Sequence, residues 1–533
     1  MGVAPIPLMG LVTTAALELR LGVELLHRRR LDVGGRGRGA GGDCESEAEG
    51  DKAAGQADRH KVGLRKRNRA ECTRSLKSRL ISTETRKHYV VSTAKLECAF
   101  LMTPAARISA AIEVMADIEA RRRPATDALK DWGLSHRFAG SKDRAAIASL
   151  VYDALRRKAS AAWIMGENTP RSVVLGMLRL QRGLTVDAIA ALCSGERFAP
   201  EPLSDHERER LEKADLSGAP AHVAGDFPEW IEPSLQRLLG EDLIPEMQAL
   251  ATRAPLDLRI NTLKVSSRDE AHDALPHLGA VETPLSPLGL RIMPGEDGRG
   301  PAVQSEPEFL KGWIEIQDEG SQLVALMSGI KPGEQVVDLC AGGGGKTLAL
   351  AALMENHGQI YATDNDARRL APIHDRLTRA GVRNVQVRTP RAKADAVTDL
   401  DGRMDCVLVD APCTGVGTWR RNPDAKWRLR PGSLEVRRKE QATVLDRAAG
   451  LVKPGGRIVY ITCSILPEEN DDALSGFLER HEGFKPVSHE ELLGTSELGF
   501  LKNATRRTAY GLQLTPQQTG TDGFFIAVLR RKA

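Results

Sequence analysis

The stretch VVDLCAGGGGKT, Val336 to Thr347, decides the reading of this chain. An apolar strand runs into four glycines and then into a helix expected to start near Thr347. Glycines let a backbone approach a ligand closely, and a helix N-terminus offers free amides. Two kinds of site end this way. A P-loop needs GxxxxGK[ST], and Gly345-Lys346-Thr347 fits its end, but Cys340 stands where its first glycine belongs. A doubly wound nucleotide-type site asks instead for an acidic residue at the end of the next strand, where a ribose hydroxyl pair is held. Asp364 follows the apolar run Ile360 to Thr363 and meets that requirement. Asp395 follows the third strand, where a further polar ligand contact is expected.

Working outward, short apolar runs recur at Val385 to Arg388, Cys406 to Asp410, Ile458 to Thr462 and Phe525 to Leu529, with helical stretches between them. This alternation predicts an α/β fold with a parallel, doubly wound sheet. Upstream, LDLRINTL (Leu256 to Leu263) alternates apolar and polar residues, a strand signal. A helical stretch near Asp269 to Leu275 and a strand at Leu288 to Met293 complete a small α+β unit. Before it the period is helical. Ile108, Ile112, Met115 and Ile118 recur at spacings of three and four, as do Ile147, Leu150, Val151 and Leu155. Residues 1–101 show no sustained period and are expected to be disordered, or to lie outside the natural protein, with translation starting at Met102. The expected domains are therefore 1–101, a helical unit 102–250, a small α+β unit 251–315 and the doubly wound domain 316–533.

The chain has 533 residues, 41% hydrophobic and 27% charged, which is globular composition. No run reaches the roughly 18 apolar residues that a membrane helix needs. Met1 to Leu17 lacks the basic start of a signal peptide. The eight cysteines are scattered without a CxxC pair, which argues against a disulfide framework or a zinc ribbon and for a reducing, cytoplasmic setting. No metal is expected. The net charge of +4 is uneven: residues 1–101 hold 19 Lys and Arg against 12 Asp and Glu, leaving 56 against 59 in the remainder. A near-neutral body has to bind nucleic acid, if it does, through local basic patches.

Two cysteines stand just past strand ends, in VLVDAPCTGVGTWRRNPDAKWR (Val407 to Arg428) and VYITCSILPEEN (Val459 to Asn470). A lone strand-end cysteine is usually a small buried hydrophobe. Here Pro412 and Thr414-Gly415 flank one, and Thr462 and Ser464 the other, so both are expected at exposed strand ends. Chemistry gathers at the carboxyl ends of strands in such sheets. Two thiols and the carboxylate of Asp410 beside a glycine loop suit one reaction in particular. A thiolate added to C6 of a cytosine makes C5 nucleophilic, an acid near N3 stabilises the adduct, and a second thiol assists release.

DAPCTG and TCS after DLCAGGGGKT resemble the Sun-type RNA cytosine-C5 methyltransferases, the RsmB family. LQLTPQQTGTDGFFIAVLRR (Leu512 to Arg531) and QDEGSQLV (Gln317 to Val324) are similar to further motifs of that family. The resemblance is strong over about 250–533. Residues 103–250 look like the NusB-type RNA-binding domain of the rRNA branch, more weakly. The resemblance implies a Rossmann-like methyltransferase domain that forms 5-methylcytosine in small-subunit rRNA. It implies Cys463 as nucleophile and Cys413 as the group assisting release. It also implies that S-adenosylmethionine is held by Cys340, Ala341, Gly342, Gly343, Gly344, Gly345 and Lys346, with Asp364, Asp395 and Asp410. One departure is Gly343, where the family usually carries proline.

RNA contacts are expected from the basic, aromatic-interleaved run beside Cys413: Trp419, Arg420, Arg421, Lys426, Trp427, Arg428 and Arg430. Arg259 and Asn261 are expected to extend this platform. A flipped-out base has to reach the pocket, so the target is a loop or accessible strand. RNA is the expected partner of a monomer with no membrane contact. Two other readings stay open at this point: a non-catalytic RNA-binding factor with a degenerate glycine loop, and a DNA cytosine methyltransferase with a single nucleophilic cysteine.

Overall fold

A computed structural model describes residues 102–295, 300–390, 395–494 and 498–533; the expectations for 1–101 lie outside them. From Pro104 to Leu250 the chain is helical. Helix Pro104–Arg121 begins on Thr103, whose hydroxyl accepts the Ala106 amide, with a proline in the first turn. It buries Ile108, Met115 and Ile118, and helix Ser141–Arg156 packs Ile147, Val151 and Leu155 into the same core.

Strands β1 (Leu256–Ile260), β2 (Val281–Glu282), β3 (Gly289–Ile292) and β4 (Ile314–Ile316) form an antiparallel sheet in the order β2-β3-β1-β4. The alternation in LDLRINTL does not separate core from solvent, because all five residues of β1 are buried. Asp257 pairs with Arg291 at 2.7 Å, and Arg259 donates to Gln317 Oε1 at 2.7 Å. Asn261 Nδ2 donates to the carbonyls of Gly312 and Ala380 at 2.8 and 2.9 Å. Arg259 and Asn261 therefore face inward and do not form an exposed RNA platform. The next domain covers this polar face, so each buried polar group takes a protein partner.

The large sheet contains β5 (Gln335–Asp338), β6 (Gln359–Ala362), β7 (Val385–Val387), β8 (Met404–Asp410), β9 (Val452–Thr462), β10 (Phe484–Pro486), β11 (Arg506–Arg507), β12 (Leu512–Leu514) and β13 (Phe524–Arg531). Strands β7-β6-β5-β8-β9 run parallel, as expected. The expectation of a wholly parallel sheet is corrected beyond β9. There β13 pairs antiparallel with β9, β12 with β13 and β11 with β12, and β10 pairs with β13 off this path. The link from β12 to β13 is too short for a helical crossover, so the chain can only turn back. Two apolar layers cover the sheet, one around Leu350, Leu408 and Ile526 and one around Val409, Leu445 and Phe525.

The helical region and the sheet meet along the run that follows Cys413. The last carbonyls of a helix have no partner within it. Those of helix Ser141–Arg156 are met from outside: the Trp427 indole donates to the Leu155 carbonyl at 2.6 Å, and Lys426 Nζ to the Arg156 carbonyl at 3.2 Å. A cation there also suits the helix dipole. Arg156 Nη2 in turn donates to the Arg420 carbonyl at 2.9 Å. Nearby, buried Asp153 takes Arg253 at 2.7 Å and Arg182 at 2.6 Å. No helix of the described residues is long and apolar enough to cross a membrane.

Burial pushes the Lys426 ammonium down to about 7, against the pull of Asp226. Above that pH, and up to the ordinary lysine range, the unfolded chain holds a proton that the folded protein does not. This contribution to stability therefore grows as pH rises through that window. Lys426→Met removes it. The melting temperature of the variant relative to wild type should be most favourable near about pH 6 and should shift toward wild type by about pH 9. A difference that stays constant across the window would reject the assignment.

Candidate active site

The strand order brings the predicted residues to one edge. β8 and β9 are parallel neighbours with Asp410 opposite Ile461, so the two chains leave the sheet side by side. Cys413 Sγ and Cys463 Sγ lie 3.3 Å apart, both half-buried. The backbone holds them there. Gly417 N–H donates to the Cys463 carbonyl at 3.0 Å, and Gly523 N–H to the Gly417 carbonyl at 2.8 Å. A Cβ at Gly417 would lie 2.1 Å from the Gly523 oxygen, so this approach requires glycine. The hydrogen bond to Cys463, together with burial, pushes the Cys413 thiol well above its ordinary range.

The glycine loop lies beside the thiols. Lys346 Nζ donates to Asp410 Oδ2 at 2.8 Å. Burial opposes the Lys346 charge, but Asp410, with help from the Cys463 sulfur, holds the ammonium above its usual range. Asp364 Oδ2 accepts the Gly342 amide at 2.9 Å, and its Oδ1 accepts the Asp366 amide at 2.9 Å. Ala341 N–H bonds the Thr363 carbonyl at 2.9 Å, and Gly344 N–H closes a turn on Ala341 at 2.8 Å. Gly344 has φ +82°, and a Cβ there would strike Ile373 at 2.5 Å. Thr347 donates to Asp338 Oδ2 at 2.7 Å instead of standing ready for a phosphate. An adjoining cleft of about 600 Å³ is lined by Asn365, Asp366, Arg369 and Pro412, among others.

Asp395 stands apart from the glycine loop in its bonding. Its carboxylate accepts the Val397 amide at 3.0 Å and pairs with Arg447 at 2.5 Å, and neither partner belongs to the loop.

The expected RNA contacts are corrected. Arg420 is 3% exposed and Lys426 2%. Arg420 and Arg421 share Asp318, at 3.0 and 2.6 Å, and also bind Asp522. Burial would raise Asp318, yet Arg421 and Arg420 hold it below the usual carboxylate range. Trp419 is also buried. Arg428 stays partly exposed but pairs with Asp424 at 3.0 Å. Arg420, Arg421 and Lys426 thus satisfy buried carboxylates and a carbonyl, while Arg428 and Arg430 stay exposed.

Three residues escaped the sequence reading. Buried Glu469 accepts the Thr414 amide at 2.8 Å and Gln441 Nε2 at 3.1 Å, which fixes the Cys413 loop; burial raises its carboxyl. Asn470 accepts the Thr462 hydroxyl at 2.6 Å and donates to the Ser464 carbonyl at 3.1 Å, which brackets Cys463. Both stand in LPEEN, one residue after TCS, and the polar cluster was the available signal. Asp338, under the glycine loop, is pushed up to about 7 by burial, and its Oδ1 has no hydrogen-bond partner among the described residues.

Known proteins resemble the chain over this region and beyond it. A family model for the 16S rRNA methyltransferase RsmB/F matches residues 325–530. A probable ribosomal RNA small subunit methyltransferase B of Synechocystis is 31% identical, over 78% of this chain and 98% of that protein. The ribosomal RNA small subunit methyltransferase B of Erwinia tasmaniensis is 30% identical, over 73% and 91%. The solved structure of PH0851 shares the fold, with a TM-score of 0.59 and 27% identity over 81% of this chain and 100% of that one. The chain belongs to the RsmB/F family of S-adenosylmethionine-dependent rRNA methyltransferases.

Proposed function

We propose that this enzyme forms 5-methylcytosine in small-subunit rRNA, in the bacterial cytoplasm, through a covalent bond between Cys463 and C6 of the target base. The observation that carries this reading is the 3.3 Å approach of two sulfurs at the carboxyl ends of adjacent strands, beside the Lys346–Asp410 pair.

The residues fit S-adenosylmethionine. Loop amides with no side chains to block them, the Asp364 carboxylate, and the orphaned Asp338 oxygen beneath the loop suit a cationic, hydroxyl-bearing ligand. Cys340 to Lys346 with Asp364 would hold it, and when bound it supplies an electrophilic methyl group. Asp395, oriented by Arg447, would add a polar contact from the segment after the third strand.

The chain's own residues do the rest. The Cys463 thiolate adds to C6, and the ring's electron pair moves toward C5, which becomes nucleophilic and would accept a methyl group supplied by the bound cofactor. Asp410, oriented by Lys346, acts at N3, where its carboxyl in the protonated form would hand a proton to the nitrogen as addition at C6 raises the basicity of the ring. A base then takes the C5 proton, the C5–H electron pair restores the C5–C6 double bond, and the C6–S bond breaks to return Cys463 as a thiolate. Cys413, a thiol of raised proton affinity next to the leaving sulfur, assists that step. Glu469 and Asn470 hold the two thiol loops in register. Helices between Pro104 and Leu250 serve as a NusB-like RNA-binding domain.

Wild-type protein with labelled S-adenosylmethionine and unmodified small-subunit rRNA should yield 5-methylcytosine on nucleoside analysis, and Cys463→Ala should yield none. Full activity in Cys463→Ala would overturn the nucleophile and favour a mechanism through Cys413.

Cys413→Ala should accumulate a protein–RNA adduct that survives a denaturing gel, with turnover reduced at least about a hundredfold. Normal turnover with no adduct would remove Cys413 from the release step.

A further inference from the structure

Four consecutive glycines give the cofactor loop a backbone freedom that binding has to suppress. Its ends are fixed by the turn bond of Gly344 and by Asp364 on the Gly342 amide. The middle is held from elsewhere. The Gly343 carbonyl accepts Arg376 Nη1 at 2.5 Å, from helix Ile373–Ala380. Arg376 is itself oriented by the small sheet. Its Nη2 lies 3.4 Å from Glu315 of β4, and the same carboxylate takes Arg379, one turn along the helix, at 2.6 Å.

A second arm runs in parallel. Gln317 Nε2 donates to the Gly345 carbonyl at 3.3 Å, while Arg259 of β1 fixes Gln317 Oε1. Asn261 ties the end of β1 to the Ala380 carbonyl that ends this helix. The buried polar residues Arg259, Glu315 and Gln317 thus form one layer against the loop.

We propose that Arg376, oriented by Glu315, is a positioning residue for S-adenosylmethionine, and that the small sheet sets the cofactor loop through it. The inference rests on the glycine loop being the cofactor site. Arg376 touches a loop carbonyl, so its loss leaves the thiols and Asp410 in place and acts on cofactor affinity. Gly343 supplies an internal check. Its φ is outside the left-handed region, and a Cβ there would meet only Arg376 Nη1, at 3.1 Å. Alanine at 343 should therefore fit once Arg376 is shortened, and it should stiffen the loop by a different route.

The test is calorimetric binding of S-adenosylmethionine to the full chain without RNA, together with kcat and KM on unmodified rRNA. Arg376→Ala should weaken binding about tenfold, as loss of one charge-assisted hydrogen bond implies. At saturating cofactor, kcat should stay within about twofold. Arg376→Lys should recover part of the affinity, Glu315→Gln should weaken it in the same direction, and Gly343→Ala added to Arg376→Ala should regain about two- to fivefold. Unchanged affinity in Arg376→Ala overturns the proposal. So does a joint loss of kcat, affinity and melting temperature that neither Arg376→Lys nor Gly343→Ala relieves, since that marks a merely structural residue. Failure of wild type to bind S-adenosylmethionine would instead sink the cofactor site itself.

Discussion

The site depends on the parallel pairing of β8 with β9. Side by side from Cys406–Arg457 to Asp410–Ile461, the two strands release their chains at the same edge, and the Ala411 amide still bonds the Ile461 carbonyl at 2.8 Å. Residues fifty positions apart become neighbours without any attraction between the thiols themselves. The glycine contact between Gly417 and Gly523 then draws in the loop before β13. Three chain segments thus meet where side chains would have kept them apart.

Holding such a centre takes buried polar groups, and those around the two thiol loops bond to one another. Glu469 serves one thiol loop, while Asn470 serves the other and reaches Gln513 on β12 at 3.0 Å. Gln513 Nε2 continues to the Phe524 carbonyl at the start of β13. The antiparallel strands beyond β9 therefore have a role in the site as well as in covering the sheet. A displacement of about 1 Å at a reacting group can cost roughly a hundredfold in rate. Polar networks that are fully satisfied specify position more narrowly than apolar packing does.

Much of this was legible in the sequence, for a physical reason. The glycine loop, Asp364 and the two strand-end cysteines are local patterns whose geometry is set within a few residues, and the parallel direction of β5, β8 and β9 follows from chain alternation, whereas their order in the sheet does not. What misled was the assumption that polar residues face water. Arg420, Arg421 and Lys426 read as a nucleic-acid stripe because a window of sequence shows the cations and not their partners, and Asp318, Asp522 and the Arg156 carbonyl lie 100 or more residues away. β1 misled in the same way, since its alternation is real but both of its faces are covered. Strands β11 and β12, two and three residues long, are too short to carry a period.

The inward run also fixes how the halves of the molecule cooperate. The segment that leaves Cys413 passes through Trp419, buried with Phe227, Leu235 and Leu250 of the helical region, and ends by capping helix Ser141–Arg156 through Lys426 and Trp427. The helical region and the thiol loops therefore share one core and cannot swing independently of each other. An RNA gripped by the helices would be presented to Cys413 and Cys463 from one direction. Orientation of this kind is settled when the chain folds, so little of the binding energy for a large substrate has to be spent on arranging the enzyme.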